Sequence, residues 1–467
     1  MRKRLPSWWL FCGLLGMQPC FAESPMIIRS ELTDEQQDLP SLNGLKTLPD
    51  TPAAPGALTL SQAVDRAVFW HPSISEAIGK LYQQTEAVNV AKSKYYPQVS
   101  GGIENGYTSA DGSSSFSPSL VVSLSQMLYD FGKTASQVRA ENAGVVQQQA
   151  NVLVSIDTVV QETASALIDV QTWQQMVIIA HDQLEALSAI GTLARSRNDE
   201  GASSLSDVVQ TEARIEGARS QLLQYQANLN SARATLMTYL GWKNLNDVSS
   251  EYPETFNQSC DLAEPDDRLI PAVLAAWAQA NVAQANLDNA EAQMTPTISL
   301  EPEARHYLND RYTNHATMDK TQYTAWVKVQ MPLYQGGGLN ARRAAAGYAL
   351  EAAQSTIQRT RLEVRQKLME SRSQALSLAN TIQVQARQEM LSERTRELYQ
   401  QQYLDLGSRP LLDVLNAEQE VFQSRFTQQQ TLGQLHQLHI SCLYNTGRLR
   451  NRFDLENKSI QSVEIQP

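Results

Sequence analysis

The chain spells one pattern twice. Leu128-Tyr129-Asp130-Phe131-Gly132 returns 205 residues later as Leu333-Tyr334-Gln335-Gly336-Gly337. Gly201-Ala202-Ser203-Ser204-Leu205-Ser206-Asp207-Val208-Val209 returns at an offset of 206 as Gly407-Ser408-Arg409-Pro410-Leu411-Leu412-Asp413-Val414-Leu415. Tyr239-Leu240-Gly241 is echoed by Tyr444-Asn445-Thr446-Gly447. Self-similarity of this kind means that one structural unit is built twice, and it restricts every later assignment to those that work in both copies.

Proline placement shows what the unit contains. Eight of the 18 prolines lie in residues 1–72, whereas none occurs from Ser119 to Tyr252, between Pro332 and Pro410, or from Leu411 to Gln466. The proline-free intervals are rich in Ala, Gln, Leu, Glu and Arg, which are good helix formers. Apolar residues recur there at three and four, as in Val152, Ile156, Val159, Val160, Thr163, Ala166, Leu167 and Val170. That is the period of an amphipathic helix. The intervals from about Lys133 to Arg197 and from about Leu339 to Leu404 would each make a helix ~100 Å long. Helices of that length suit a coiled coil, a bundle or a tube rather than a compact globule.

Four short segments change to a period of two, at about 97–108, 116–128, 297–307 and 323–333. Val99, Ile103 and Tyr107 mark the apolar face of the first, and Leu120, Val122 and Leu124 that of the second. Ile298, Leu300 and Ala304 mark the third, and Tyr323, Ala325, Val327, Val329 and Met331 the fourth. The lengths fit transmembrane β-strands, apolar toward lipid and polar toward a lumen. A soluble sheet with one wet face has the same period, and alternation does not separate the two. Each half therefore reads as helix, β-hairpin, very long helix, tight turn and return helix. Four spanning strands cannot close a barrel, since the smallest have about eight. Three chains together would supply twelve and leave no open edge.

The N-terminus reads as an export signal over residues 1–22: basic Arg2-Lys3-Arg4, an apolar stretch from Trp8 to Met17, and Cys20-Phe21-Ala22 for cleavage. No lipobox-like sequence precedes Cys12 or Cys20. Beyond it no apolar run approaches the ~20 residues of a membrane-spanning helix. Residues 23–57 read as an extended segment without its own core. A formal charge of −11 argues against nucleic acid as a partner. Four cysteines and six histidines offer little to a metal or redox enzyme. His436 and His439 stand at i, i+3 with no third ligand nearby, and read as packed or solvated residues. Gly336-Gly337-Gly338 lacks the ending of a phosphate loop and reads as a strand-to-helix joint. Trp173 and Trp277 read as packing residues, and no nucleophile elbow is present. No catalytic residue, metal site or cofactor is expected.

The doubled Leu-Tyr-x-x-Gly strand ends and doubled Gly-x-x-x-x-x-Asp-Val tips resemble those of TolC-type outer-membrane export proteins, across residues 58–450. The resemblance implies a mainly α protomer with a β-barrel portion, internally duplicated, that forms a trimeric twelve-stranded outer-membrane barrel joined to a periplasmic helical tunnel. It divides the chain into a first repeat at 58–241, an equatorial connector at 242–270, a second repeat at 271–447 and a tail at 448–467. Ser109–Ser115 and Leu308–Gln322 become extracellular loops, and the turns at Gly201 and Gly407 become periplasmic tips. Those tips, with Ser206 and Pro410 as helix-start residues, would receive a periplasmic adaptor protein. Asp207, Tyr403 and Arg409 match an entrance gate in which the aspartate bonds to the other two. Asp413 and Asn416 match two acidic rings at the constriction. Asn416 departs from the pattern, so weaker cation selectivity is expected.

The implied partners are two further copies of the chain, the adaptor, an inner-membrane ABC transporter or, for drug efflux, an RND pump, outer-membrane lipid, and an exported protein as cargo. The absent lipid-anchor cysteine and the motif spelling favour type I protein secretion over small-molecule efflux. A reading of another class, a non-conducting periplasmic coiled-coil scaffold, differs in releasing the protein into the periplasmic fraction. After cleavage only Cys260 and Cys442 remain, and an oxidising compartment permits a disulfide between them. The resemblance puts both at the level of the equatorial belt. Two buried thiols on opposite sides of the protomer is the other reading.

Overall fold

The computed structural model describes residues 56–465 apart from 111–112, 262–264, 309–318 and 406. The expected export signal, nearly all of the 23–57 segment, the apex of the Ser109–Ser115 loop and most of Leu308–Gln322 lie outside the described residues.

The first repeat comprises α1 (Leu60–Trp70), α2 (Pro72–Ser93), β1 (Gln98–Ala110), β2 (Ser113–Tyr129), α3 (Lys133–Asp199) and α4 (Leu205–Leu240). The second comprises α5 (Pro271–Ala292), β3 (Thr297–Tyr307), β4 (Thr321–Gln330), α6 (Gly338–Leu404) and α7 (Leu411–Asn445). A short α8 (Leu449–Arg452) and the small hairpin β5 (Ser459–Ile460) with β6 (Val463–Glu464) follow. The duplication is close: α2 and α5 have 22 residues each, both with proline in the first turn, and α3 and α6 have 67 each. Proline there is harmless, because the first helical N–H has no intrahelical partner.

The two strand-to-helix joints solve one problem differently. Gly132 precedes α3 at φ 93°, and Asp130 accepts from the Gly132 and Thr134 amides at 3.0 and 2.6 Å. The second joint has Gln335 where the first has Asp130, and Gly336 and Gly337 turn the chain at φ 61° and 81°. β2 starts at Ser113, earlier than its alternation suggested, and β4 stops at Gln330 because Pro332 cannot donate to a ladder.

The strands form one antiparallel sheet in the order β1-β2-β3-β4. Its register aligns the alternation of all four into two faces. Ile103 lies opposite Leu120, Val122 opposite Ala304, Leu300 opposite Val327, and Ile298 opposite Val329. On the other face Ser100 bonds Ser123, Arg305 pairs with Glu104 at 2.8 Å and Glu303 at 3.1 Å, and Lys328 approaches Glu301 at 3.7 Å. Among the described residues of one chain, β1 and β4 are edges without a partner strand.

The main core sits where the middle of α3 meets the C-terminal ends of α4 and α7. Leu58, Ile74, Ile156, Leu167, Leu236 and Leu240 pack there with Phe256 of the connector and Leu449, Leu455 and Ile460 of the tail. Gly241, at φ 65°, ends α4 against the Trp70 ring, where a Cβ would come within 2.3 Å of ring atoms. Gly447, at φ 69°, ends α7 against the Leu269 carbonyl in the same way. Arg450 and Asp157, both buried, pair at 2.7 Å and tie the tail to α3. Among the described residues no helix is long and apolar enough to cross a membrane.

Candidate functional site

The residues expected to form the gate lie at the two helix reversals. At the first, α3 ends at Asp199 and Gly201 takes φ 78°, which a residue with a Cβ adopts only with strain. Asn198 donates to the Ser203 carbonyl at 2.9 Å, and Ser204 caps α4. Asp207 completes a capping box, accepting from the Ser203 hydroxyl at 2.8 Å and the Ser204 amide at 3.2 Å. The Ser203 bond holds its carboxyl below the usual range. The cap is thus Ser204, and Ser206 sits inside the helix. The Ser204-x-x-Asp207 spacing carried that signal in the sequence.

At the second reversal Gly407 takes φ 59°. Pro410 is the residue before α7, extended at ψ 150°, rather than its first helical residue. Arg409 donates to Gln402 at 2.8 Å and to Asp413 at 2.9 Å, with its guanidinium 4.2 Å from the Tyr399 ring centre. Tyr403 is buried among Leu187, Ile190, Ala194, Leu411, Val414 and Leu415. Arg197 lies over its ring at 4.5 Å and donates to its carbonyl at 3.2 Å.

Of the expected gate residues, one chain brings Arg409 to Asp413 and buries Tyr403. Among the described hydrogen bonds those of Asp207 are local and reach neither Tyr403 nor Arg409. Asn416 accepts from Arg214 at 3.3 Å. Arg197 and Arg214 carry no signal in the sequence, where each is one of several arginines in helical runs. Beside Asn416 an open groove of about 420 Å³ is lined by Gln385, Gln388, Gln419, Glu420, Gln423 and Thr427.

At the middle of the molecule Cys260 and Cys442 are bridged, their Cα atoms 5.2 Å apart. Arg372 of α6 donates to the Cys260 carbonyl at 2.7 Å. The Tyr252 ring stacks on His436 at 3.5 Å, and its hydroxyl lies 3.3 Å from His439 Nδ1. Burial pushes the His436 imidazole down to about 4, with His439 adding to it. Both histidines hold the connector to α7, and among the described residues no group of three His, Cys, Asp or Glu could hold a metal. Trp173 packs against Tyr225, while Trp277 is half-exposed with Arg361 across its ring, so it packs less than expected.

The family model for outer membrane efflux proteins matches residues 63–242 and 270–441, which are the two repeats. The chain is 26% identical to the outer membrane efflux protein BepC of Brucella suis, over 78% of this chain and 79% of that one. It is 22% identical to the outer membrane protein TolC of Escherichia coli, over 91% and 89%. Among solved structures, the outer membrane protein VceC of Vibrio cholerae superposes with a TM-score of 0.70 at 16% identity, covering 83% of this chain and 96% of that one. Duplicated repeats, unpaired sheet edges and glycine-turned helix tips all have their place in such a channel, and the chain belongs to the outer membrane efflux protein family: it is an outer-membrane channel component of tripartite export systems, not an enzyme.

Proposed function

We propose that three copies of this chain close a twelve-stranded barrel in the outer membrane, and that the helical tips face a periplasmic adaptor and an inner-membrane transporter. The observation that carries this reading is the four-stranded sheet with an apolar face, a charged face and two unpaired edges. Lipid tolerates no unpaired strand edge, so β4 of one copy must meet β1 of the next. The charged face, with Glu104, Glu303, Arg305 and Lys328, then lines the lumen, as a water-filled barrel requires.

The cargo in this reading is a secreted polypeptide delivered by an ABC transporter. Support comes from the groove at Asn416, whose lining side chains are carboxamides, hydroxyls and the Glu420 carboxylate and suit a hydrated, extended chain. Drug efflux through an RND pump is the competing use. Deletion of the gene should remove one large protein from the culture supernatant while leaving dye and detergent susceptibility unchanged. Increased susceptibility with an unchanged supernatant would replace secretion by efflux.

A further inference from the structure

We infer that Arg214 is the residue that fastens the two helical hairpins to one another near the entrance and sets the charge that ions meet there. This rests on the reading of the tips as a channel entrance. Arg214 is a half-exposed residue near the start of α4. Its two guanidinium nitrogens donate to Gln419 and to Asn416, both on α7. Positions three apart on a helix share one face, so the planar fork straddles both acceptors from a single rotamer. Among the described residues these are the hydrogen bonds that join α4 to α7. Further along, the same two helices meet through the Tyr225 and Phe426 rings, 5.2 Å apart.

The direction of the tie recurs at the long helices. Arg197 on α3 reaches the Tyr403 ring and carbonyl on α6. The first hairpin supplies the cation in both ties, and the second supplies the acceptor.

The charge consequence follows from the same contacts. Asp413, the one carboxylate at the two expected ring positions, has the Arg409 guanidinium at 2.9 Å. Asn416, the other position, carries no charge and has the Arg214 guanidinium at 3.3 Å. Each ring position is therefore met by an arginine, and a threefold arrangement would present guanidinium–acceptor pairs instead of bare carboxylates. Cations gain little from such a ring. Arg214 has no carboxylate among these partners, so its removal takes away a positive charge that they do not neutralise.

Planar-bilayer recording of the full-length protein tests this with two substitutions. Arg214→Gln should raise single-channel conductance by about twofold and move the reversal potential in a potassium chloride gradient toward potassium. Arg214→Lys keeps the charge and loses the fork, so it should raise conductance and leave the reversal potential at the parent's value. Parental conductance and reversal potential in Arg214→Gln would overturn the inference. A change in only one of the two would overturn the half that did not move. The contact is read separately by treating an Arg214→Cys, Gln419→Cys double variant in isolated outer membranes with a bifunctional thiol reagent that spans the reach of the Arg and Gln side chains it replaces. Loss of its crosslink would overturn the tie whatever the bilayer shows, and a formed crosslink in a protein that never conducts would sink the channel-entrance reading alone.

Discussion

At the residue scale the tips show how one side chain acquires its role from its neighbours. Asp207 spends its carboxylate on the first turn of α4, and Arg409 spends its guanidinium on Asp413 one turn away. Replacing Ser204 by Ala should cost about 1 kcal/mol, the worth of an N-cap. The loss would show as a lower temperature of trimer dissociation on unboiled gels. Arg409→Ser should uncover Asp413, raising cation selectivity and the block by trivalent cations, whereas Asp413→Ala should remove the block. Equal block in both variants would place the charge ring elsewhere. The tip glycines were legible in the sequence because φ > 0 and duplicated spacing leave a mark. The partners of Asp207 and Tyr403 were not, because a resemblance transfers positions and the local capping box and Arg197 decide the bonds.

At the scale of elements, helices and strands were legible to within a few residues, since proline-free runs and alternating faces are local patterns. What escaped is how the connector is held. Tyr252 lies against His436 and His439, with Asp261 and Arg452 as the nearby charges. These contacts join positions more than 180 residues apart, and no short-range pattern encodes them. Their consequence is a pH dependence. The unfolded chain binds a proton at His436 near pH 6.5, whereas the folded site binds it only near 4. Between those values the unfolded state holds more protons, so stability falls as the pH falls from about 6.5 toward about 4. His436→Phe keeps the stack on Tyr252 and removes the titrating group. Its trimer should lose less thermal stability between pH 7 and pH 4.5 than the parent does. Parallel losses in both proteins would assign the acid sensitivity to other groups.

At the scale of the whole molecule, the two repeats are joined where the C-terminal tail and the connector meet the helices, and two buried contacts fasten that junction. The first is Asp157 with Arg450. Burial pushes the Asp157 carboxyl up to about 6 despite the arginine, so the folded state holds more protons than the unfolded between about 4 and 6. Stability from this group therefore declines as pH rises through that window and is constant above it. Arg450→Ala leaves a buried carboxylate unpaired and should cost about 3 kcal/mol or more, while the paired change Asp157→Leu with Arg450→Met should recover much of it. The second contact is the Cys260–Cys442 bridge, which closes a loop of 182 residues between connector and α7. Constraint of so long a loop is worth about 4–5 kcal/mol in the chain-entropy picture. It also fixes the connector at the point where Arg372 of α6 reaches the Cys260 carbonyl, so one covalent bond restrains both helices of the second hairpin. Cys442 is fully buried and Cys260 nearly so, which protects the bond from thiols while the protein is folded. Alkylation of denatured, unreduced protein should find neither cysteine free. Cys260→Ser should lower the trimer's dissociation temperature and leave conductance at its parental value, because the bond lies far along α7 from the tip. Recovery of two free thiols from the mature protein would remove this contact from the account and leave the Asp157–Arg450 pair and the apolar core to hold the repeats together.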